Sequence, residues 1–288
     1  MTSTADLGIL SGRVLVGGGA YGNIQALEAF DRLARDMGIA AGHVIHNGDI
    51  AAYCADAEAC CDLAGSRGWH AIKGNIEARL AQGAADCACG FATGGACDAL
   101  AARWYAHIDR TLGPGHRRWM AGLPDHLRFT LAGRTFTVVH GAPRQMNRFM
   151  FASLAQTCFA AELDAVGSDA VIAGHTGIAF TRLVDRRAWI NPGAIGMPAN
   201  DGTRRVWALL LEPAGNAVTL RHLAFDYDSR TAAARLRAVG LPEGYAVALE
   251  TGLWPSLDVL PPAEHAATGV ALAPPDVLWS APLRPAAG

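Results

Sequence analysis

Short apolar runs alternate with amphipathic stretches through the first half of the chain. An apolar run at residues 13–17 precedes apolar positions with helical spacing at 23–37, and further helices are predicted at 57–64, in two stretches over 99–121 and at 151–166. Later runs come in pairs joined by turn residues, which predicts β-hairpins at 127–139, 179–191 and 206–223. Strands that alternate with helices early and pair as hairpins late predict an α/β fold of mixed α+β character. We expect a four-layer sandwich of two mixed β-sheets flanked by helices.

An insertion is predicted at residues 81–98, which are small, glycine-rich and contain Cys87, Cys89 and Cys97. Its composition is that of a loop lying over one face of the fold.

The C-terminal part of the chain differs from the rest. A helix is predicted at 227–239, and the proline-rich sequence from residue 255 onward predicts an extended tail packed on the body. We therefore predict one domain over residues 1–225 and a C-terminal helix and tail over 226–288.

Four polar residues that commonly bind metals each stand at the end of an apolar run. They are Asp49, Asn75, His140 and His175, and a glycine directly precedes three of them. Polar residues at the carboxyl ends of strands meet at the edge where α/β sheets place their ligands. A carboxylate, an amide oxygen and two imidazoles suit Mn, Fe or Zn. The sequence thus predicts a metal site formed by these four side chains.

Composition excludes several classes of partner. Of the 288 residues, 51% are hydrophobic, and the formal net charge is −2, so no basic field exists to attract nucleic acid or an anionic membrane. No apolar run approaches the ~20 residues of a membrane span, and the amino terminus does not resemble a signal peptide. We expect a soluble, cytoplasmic protein that acts on a small molecule and can form a homo-oligomer. The seven cysteines, an odd number, are expected to be reduced thiols.

A glycine-rich turn, Gly17-Gly18-Gly19-Ala20-Tyr21-Gly22, separates the first strand from the first helix. It matches the dinucleotide-binding fingerprint, which also requires an acidic residue about 20 residues further on. The nearest candidate, Asp49, comes too late and belongs to the predicted metal site, so the pattern argues against a dinucleotide.

Five short motifs occur in a fixed order between residues 13 and 225. They are Gly48-Asp49, Gly74-Asn75, His140-Gly141, Gly174-His175-Thr176 and Asn191-Pro192-Gly193. In this order and spacing they resemble the calcineurin-like metallophosphoesterases, particularly the small bacterial diadenosine tetraphosphatase-like and phosphodiesterase branch. The resemblance implies the two-sheet fold and a hydrolase that acts on phosphoesters with divalent metal ions.

Members of that family hold two metal ions about 3.5–4 Å apart. The resemblance implies that Asp49, Asn75, His140 and His175 form the second of these sites completely.

The first metal site is degenerate by the same comparison. Gly19 and Tyr21 stand where the family has an Asp and a His ligand, and Gly177 stands where it has the last His. Ile76 replaces the His that serves the family as the acid for the leaving group. Because these changes all concern one metal and the proton donor, they indicate a coordinated change of the site.

Two functions fit this pattern. One retained ion can still act as a Lewis acid but cannot clamp the attacking and leaving oxygens together, which predicts a hydrolase working through a single metal. Loss of the acid forfeits ~10²–10⁴-fold in rate, so a catalytically inactive phospho-ligand or nucleotide-binding protein is the alternative.

Several neighbouring residues are candidates for catalytic or anion-binding roles. Tyr21 could hydrogen-bond a phosphate or fill the vacated metal cavity, and Glu77 could substitute as ligand or acid. The backbone of the glycine-rich turn could cradle an anion at the start of the helix, and Arg144 and Arg148 could bind phosphate in a bidentate manner. The anion-binding residues are thus Gly18, Gly19, Tyr21, Asn23, Arg144 and Arg148.

Three cysteines are candidates for additional metal ligands, since Cys54 follows the Gly-Asp turn and Cys87 and Cys89 follow the Gly-Asn turn. Their thiolates could supply a soft metal site, or Cys89 and Cys97 could pair as a redox switch. The alternative is that the loop thiols are incidental, and that Cys60, Cys61 and Cys158 are small core residues on helices. His46 and His70 lie inside strands, and we interpret them as structural.

Overall fold

Two six-stranded sheets form the centre of the computed structural model, which describes residues 2–280. The order in the first sheet is β1 (Thr4–Leu10), β5 (His126–Leu131), β6 (Arg134–Val139), β7 (Ala170–Ala173), β9 (Arg187–Asn191) and β8 (Phe180–Val184). The order in the second is β12 (Val277–Trp279), β11 (Ala217–Phe225), β10 (Val206–Ala214), β2 (Val14–Gly17), β3 (Val44–His46) and β4 (His70–Ala71). Both sheets mix parallel and antiparallel pairs.

Helices cover the outer face of each sheet. The first sheet carries α6 (Gln156–Val166). The helices packed outside the second sheet are α1 (Ile24–Asp36), α2 (Ala57–Ser66), α3 (Asn75–Ala81), α4 (Ala96–Thr111), α5 (Pro114–Gly122), α7 (Ser229–Ala238) and α8 (Glu243–Thr251). A short helix, α9 (Pro262–Ala266), lies on the surface.

Alternation of side chains along the strands produces this layering. Within β2, Val14 and Val16 face the core between the sheets, whereas Leu15 faces the helical layer. In β7, Ile172 faces the same central core and Val171 faces α6. The predicted fold class, two mixed sheets face to face with helices outside, is confirmed.

Local pairing moves some of the predicted boundaries. The helix predicted from residue 151 begins at Gln156, because the Arg182 guanidinium binds the carbonyls of Ala152 and Leu154 (2.8 Å to the latter) and holds this segment in a turn. The edge strand β1 was not expected, since only Leu10 of its seven residues is buried and the apolar signal is weak.

The C-terminal segment holds more regular structure than one helix and an extended tail. Beyond α7 it forms α8, whose Leu249 is fully buried in the core beside α7, and β12 pairs with β11. These contacts come from packing that proline content does not reveal. The division of the chain at residue 225 stays a prediction. The last eight residues of the predicted tail, 281–288, lie outside the residues that the structure describes. Within residues 2–280, no helix combines the length and apolarity required to cross a membrane.

Candidate metal centre

Strand ends from both sheets place the four predicted ligands together. Asp49 follows β3 and Asn75 begins α3 just beyond β4, while His140 and His175 follow β6 and β7. We call these four residues the metal cluster. All are buried except His175, which is partly exposed.

Two glycines allow the Asp49 and Asn75 turns to touch. A Cβ on Gly48 would lie 2.4 Å from the Gly74 nitrogen, and a Cβ on Gly74 would lie 2.2 Å from Asp49 Oδ1. Asp49 itself has a φ of +56°, in the left-handed region that L-residues rarely adopt. The Gly-Asp and Gly-Asn motifs are therefore required by close backbone approach.

Glu77 holds this strained turn in place. Its side chain is fully buried and accepts hydrogen bonds from the backbone N–H groups of Asp49, Ile50 and Gly74, each at 2.8 Å, with a longer one from Ala51 at 3.4 Å. Burial, followed by the charge of Asp49, raises the pKa of Glu77. Since both carboxylate oxygens accept from backbone donors, Glu77 positions the Asp49 turn. Its role as acid or ligand stays a prediction.

The two imidazoles have defined tautomers. A carbonyl oxygen only accepts, so His140 donates from Nδ1 to Asn47 O at 2.9 Å, and His175 donates from Nε2 to Cys89 O at 3.1 Å. The remaining nitrogens, His140 Nε2 and His175 Nδ1, lie 3.1 Å apart. His140 Nε2 is also 3.1 Å from Asp49 Oδ2. In the neutral imidazoles, lone pairs therefore converge on one point.

A backbone carbonyl also orients the amide of Asn75. Its Nδ2 donates to Cys87 O at 2.8 Å, and its buried Oδ1 has no hydrogen-bond partner among the described residues. An orphaned buried oxygen is costly unless something outside the protein binds it. Backbone carbonyls thus orient all three neutral members of the metal cluster and leave their acceptor atoms free, as at established metal sites.

The acceptor atoms are close enough to share an ion. One ligand atom each from Asp49, His140 and His175 lies within 4.8 Å of the others. Asp49 and Glu77 also place two carboxylates in a buried site, which a divalent cation would neutralise. The residues present therefore fit a divalent metal ion.

The pKa values of the carboxylate and the imidazoles in and around the metal cluster reflect the same charges. Burial alone would raise the pKa of Asp49 and lower that of His140, but each lies next to the other, so the pKa of Asp49 is lowered and that of His140 is raised. Burial and the neighbouring His140 lower the pKa of His175 to about 4. Burial lowers the pKa of His46 to about 3, and its Nδ1 accepts from the Gly48 N–H, so its role is structural.

Tyr21 occupies the space beside Gly19 and Gly177, the positions at which the sequence predicts a degenerate first site. A Cβ on Gly19 would lie 2.2 Å from the Tyr21 ring, and a Cβ on Gly177 would lie 3.6 Å from its hydroxyl oxygen. The Tyr21 ring packs edge-on against Tyr53 with centroids 4.8 Å apart, and burial followed by Asp49 raises its pKa. We call Gly19, Tyr21 and Gly177 the tyrosine plug. An Asp at position 19 cannot coexist with this ring.

The glycine-rich turn packs against protein instead of forming an open anion cradle. A Cβ on Gly18 would lie 1.8 Å from Gly193 O, and Gly19 O accepts from the N–H groups of Ile195 and Gly196. The Tyr21 and Gly22 N–H groups donate to Asp49 O and Ile50 O. Asn23 caps α1, with Oδ1 accepting from the Ala26 N–H at 3.2 Å and Nδ2 donating to Gly196 O at 3.0 Å.

The two arginines predicted to bind phosphate do not line the apolar cleft that is described below. Arg148 forms an ion pair with the fully buried side chain of Glu162 at 2.5 Å. Arg144 lines another surface groove, together with Asp125, His126 and the cluster residue His140. The structure therefore brings neither of them into the cleft described below.

The cysteines near the site do not supply free thiolates. Cys87 and Cys89 are joined by a disulfide, so the predictions that these two thiols are reduced and that Cys89 pairs with Cys97 are wrong. Proximity explains the pairing, since only Ala88 separates them on one loop. Cys54 is buried, which raises the pKa of its thiol. What the loop contributes to the metal cluster is the carbonyls of Cys87 and Cys89.

An apolar cleft opens beside His175 and Thr176. Tyr21 and Tyr53 line it from the Gly-Asp side, and residues from the insertion, from the segment after His140 and from the C-terminal segment complete it. We call it the aromatic cleft; its remaining lining residues are Phe91, Cys97, Leu100, Phe149, Met197, Tyr245, Trp254, Pro255, Ser256 and Val259. Sequence patterns did not identify it, because its walls come from segments distant along the chain.

Comparison with known proteins agrees with this site. The model of the calcineurin-like phosphoesterase superfamily domain matches residues 23–212, more than half of the chain. The protein belongs to this superfamily, and its buried cluster of Asp49, His140 and His175 supports the metal-dependent phosphoesterase class. No curated protein matches the sequence.

Solved structures share the fold at low sequence identity. A metallophosphoesterase from Sphaerobacter thermophilus is 23% identical, with a TM-score of 0.65 over 84% of this chain and 100% of the other. A hypothetical protein from Pyrococcus horikoshii OT3 is 17% identical, with a TM-score of 0.70 over 84% of this chain and 99% of the other. At these identities the matches establish the fold alone.

Proposed function

We propose that the protein is a metal-dependent hydrolase of phosphoesters that works through a single divalent metal ion. The observation that carries the proposal is the convergence of free acceptor atoms in the metal cluster beside a cleft, next to a tyrosine plug that occupies the other position. Asp49, Asn75, His140 and His175 would hold Mn, Fe or Zn. The bound ion would supply a Lewis acid that polarises a phosphoryl oxygen.

The chain's own residues then have defined tasks. Glu77 and the carbonyls of Asn47, Cys87 and Cys89 fix the ligands in orientation. Thr176 and the aromatic cleft bound the space in which an ester can lie. The Ile76 side chain is buried and has no acidic proton, so it cannot protonate the leaving group.

The first experiment combines elemental analysis with turnover. Wild-type protein loaded separately with Mn²⁺, Zn²⁺ or Fe²⁺ should hold one ion per chain and hydrolyse at least one 4-nitrophenyl phosphodiester. Asp49→Asn should lose the ion and lower turnover at least ~100-fold, a typical effect of disrupting a metal site. Asp31→Asn is the matched control and should retain the ion, because it changes a buried carboxylate on α1 that pairs with Arg67. Equal turnover of wild type and Asp49→Asn would contradict the proposal.

A non-catalytic phospho-ligand-binding protein is the second candidate, favoured by Ile76 and the tyrosine plug. Binding of a phosphodiester with thermal stabilisation of the metal-loaded protein, but without turnover of any ester by any of the three loaded forms, would support it over hydrolysis.

A further inference from the structure

We propose that the substrate is a monoanionic phosphodiester carrying an aromatic or similarly flat apolar group, and that this group lies in the aromatic cleft. This inference rests on the proposed function, because it specifies the substrate of the same site. It follows from the rings around His175, from the charges of the cleft and from the missing proton donor.

Stacked rings lead directly to the metal cluster on one side of the cleft. The Phe149 ring lies over the His175 imidazole with centroids 4.4 Å apart, and Phe91 stacks on Phe149 at 6.1 Å with an interplanar angle of 23°. Both phenylalanines are only partly buried. A flat group entering the cleft would meet partly exposed ring surface next to a metal ligand.

Tyrosines form another part of the lining. The Tyr53 ring contacts Tyr21 at 4.8 Å and Tyr245 at 5.1 Å. Burial raises the pKa of all three hydroxyls, so they stay neutral and can only exchange hydrogen bonds with a ligand. Trp254 is fixed by a hydrogen bond from Nε1 to Pro198 O at 2.7 Å. Rings held in this way favour a rigid apolar group over a flexible polar one.

The charges of the cleft and of the metal cluster favour a monoanionic phosphate group. Among the described residues that line the cleft there is no Lys, Arg, Asp or Glu. Asp49 is the one carboxylate in the metal cluster, so a divalent ion held there would have a net charge of +1, which matches a monoanion and not a dianion. A phosphomonoester dianion or a polyphosphate would therefore carry uncompensated charge into a weakly polar site, whereas a diester carries a single charge.

The missing acid selects the leaving group. With the buried, apolar Ile76 in place of a proton donor, the departing oxygen receives no proton from this position. A phenol-like alcohol leaves more readily without protonation than an alkyl alcohol does. The substrate then has an activated leaving group and, as its other ester substituent, the flat apolar group that lies in the aromatic cleft.

Trp254 and its neighbours Pro255, Ser256 and Val259 belong to a segment beyond residue 212, where the superfamily match ends. Specificity for the apolar group therefore comes partly from residues outside the matched domain.

The test compares esters with one leaving group. For metal-loaded wild type, kcat/KM should be at least ~10-fold higher for phenyl 4-nitrophenyl phosphate than for methyl 4-nitrophenyl phosphate, as expected for burying a ring. The dianion 4-nitrophenyl phosphate should be the poorest substrate. Phe149→Ala and Trp254→Ala should each reduce the phenyl-to-methyl ratio at least threefold, mainly through KM. Phe149→Leu separates ring stacking from apolar burial, and Trp119→Ala, a tryptophan outside the cleft, should leave the ratio unchanged.

Binding distinguishes failure of this inference from failure of the hydrolase proposal. Titration calorimetry with diphenyl phosphate, dimethyl phosphate and phenyl phosphate does not depend on turnover. Tight binding of diphenyl phosphate that weakens in Trp254→Ala would support the inference even if no ester were hydrolysed. Equal binding of dimethyl and diphenyl phosphate, or stronger binding of the dianion, would overturn it even if hydrolysis were observed.

Discussion

The metal cluster and the tyrosine plug lie side by side, yet they are built on opposite principles. In the cluster, backbone carbonyls and Glu77 fix the orientation of the side chains or of their turns, so that the acceptor atoms face a common point. In the plug, a ring occupies the space between Gly19 and Gly177 and packs against Tyr53. The metal cluster thus depends on its supporting hydrogen bonds. The neighbouring position is filled by the Tyr21 side chain, which sterically excludes an aspartate at position 19.

The largest effect is expected from removing the hydrogen bonds that support the metal cluster. Glu77→Gln should lower the free energy of unfolding by about 2–5 kcal/mol, because an amide offers one acceptor oxygen where the carboxylate receives four N–H groups. Denaturant unfolding of metal-free protein measures this loss, and metal titration should show weaker binding.

Glu162→Gln is the matched control, since Glu162 is equally buried but pairs with Arg148. It should also destabilise the fold while leaving metal binding intact. Unchanged stability of Glu77→Gln with lost activity would instead identify Glu77 as an acid or ligand.

A smaller effect is expected from the insertion loop. Cys87→Ser/Cys89→Ser should weaken metal binding about 10- to 100-fold, because the loop orients Asn75 and His175 through carbonyls, as supporting residues do at other metal sites. Competition with a fluorescent chelator measures the dissociation constant. Reduction of wild type with dithiothreitol should reproduce the change, and Cys97→Ser should not. Complete loss of the ion would mean that the thiols are ligands, whereas unchanged affinity would mean that the disulfide does not position the loop.

The smallest effect tests the plug. Gly19→Ala should cost about 1–3 kcal/mol in wild type, since its Cβ would overlap the Tyr21 ring. In a Tyr21→His background the cost should fall by about 1 kcal/mol, a coupling typical of residues in contact. Unfolding free energies of the four proteins give this value, with Gly42→Ala as control because its Cβ would meet nothing within 4 Å. Additive effects would show that Tyr21 does not fill the space.

The strand-end ligands could be predicted because each is encoded locally. Asp49, Asn75, His140 and His175 follow apolar runs that stop at the sheet edge, and parallel strands bring such ends together in any fold of this class. Most strands and the two-sheet arrangement followed from apolar periodicity for the same reason. Edge strand β1 and the later C-terminal elements escaped prediction, since their stability comes from neighbours and not from their own pattern.

The amino-acid sequence alone thus determined the class of fold, two mixed sheets with helices outside, and it predicted the changes at the first site and the four candidate ligands. Only the tertiary structure decided what surrounds them: that Glu77 binds backbone, that Tyr21 closes the gap, that Arg148 pairs with Glu162, and that rings from four segments form the aromatic cleft. The physical reason is distance along the chain. A residue at a strand end is placed by its own segment, whereas the partner of a buried charge or ring is placed by packing between segments.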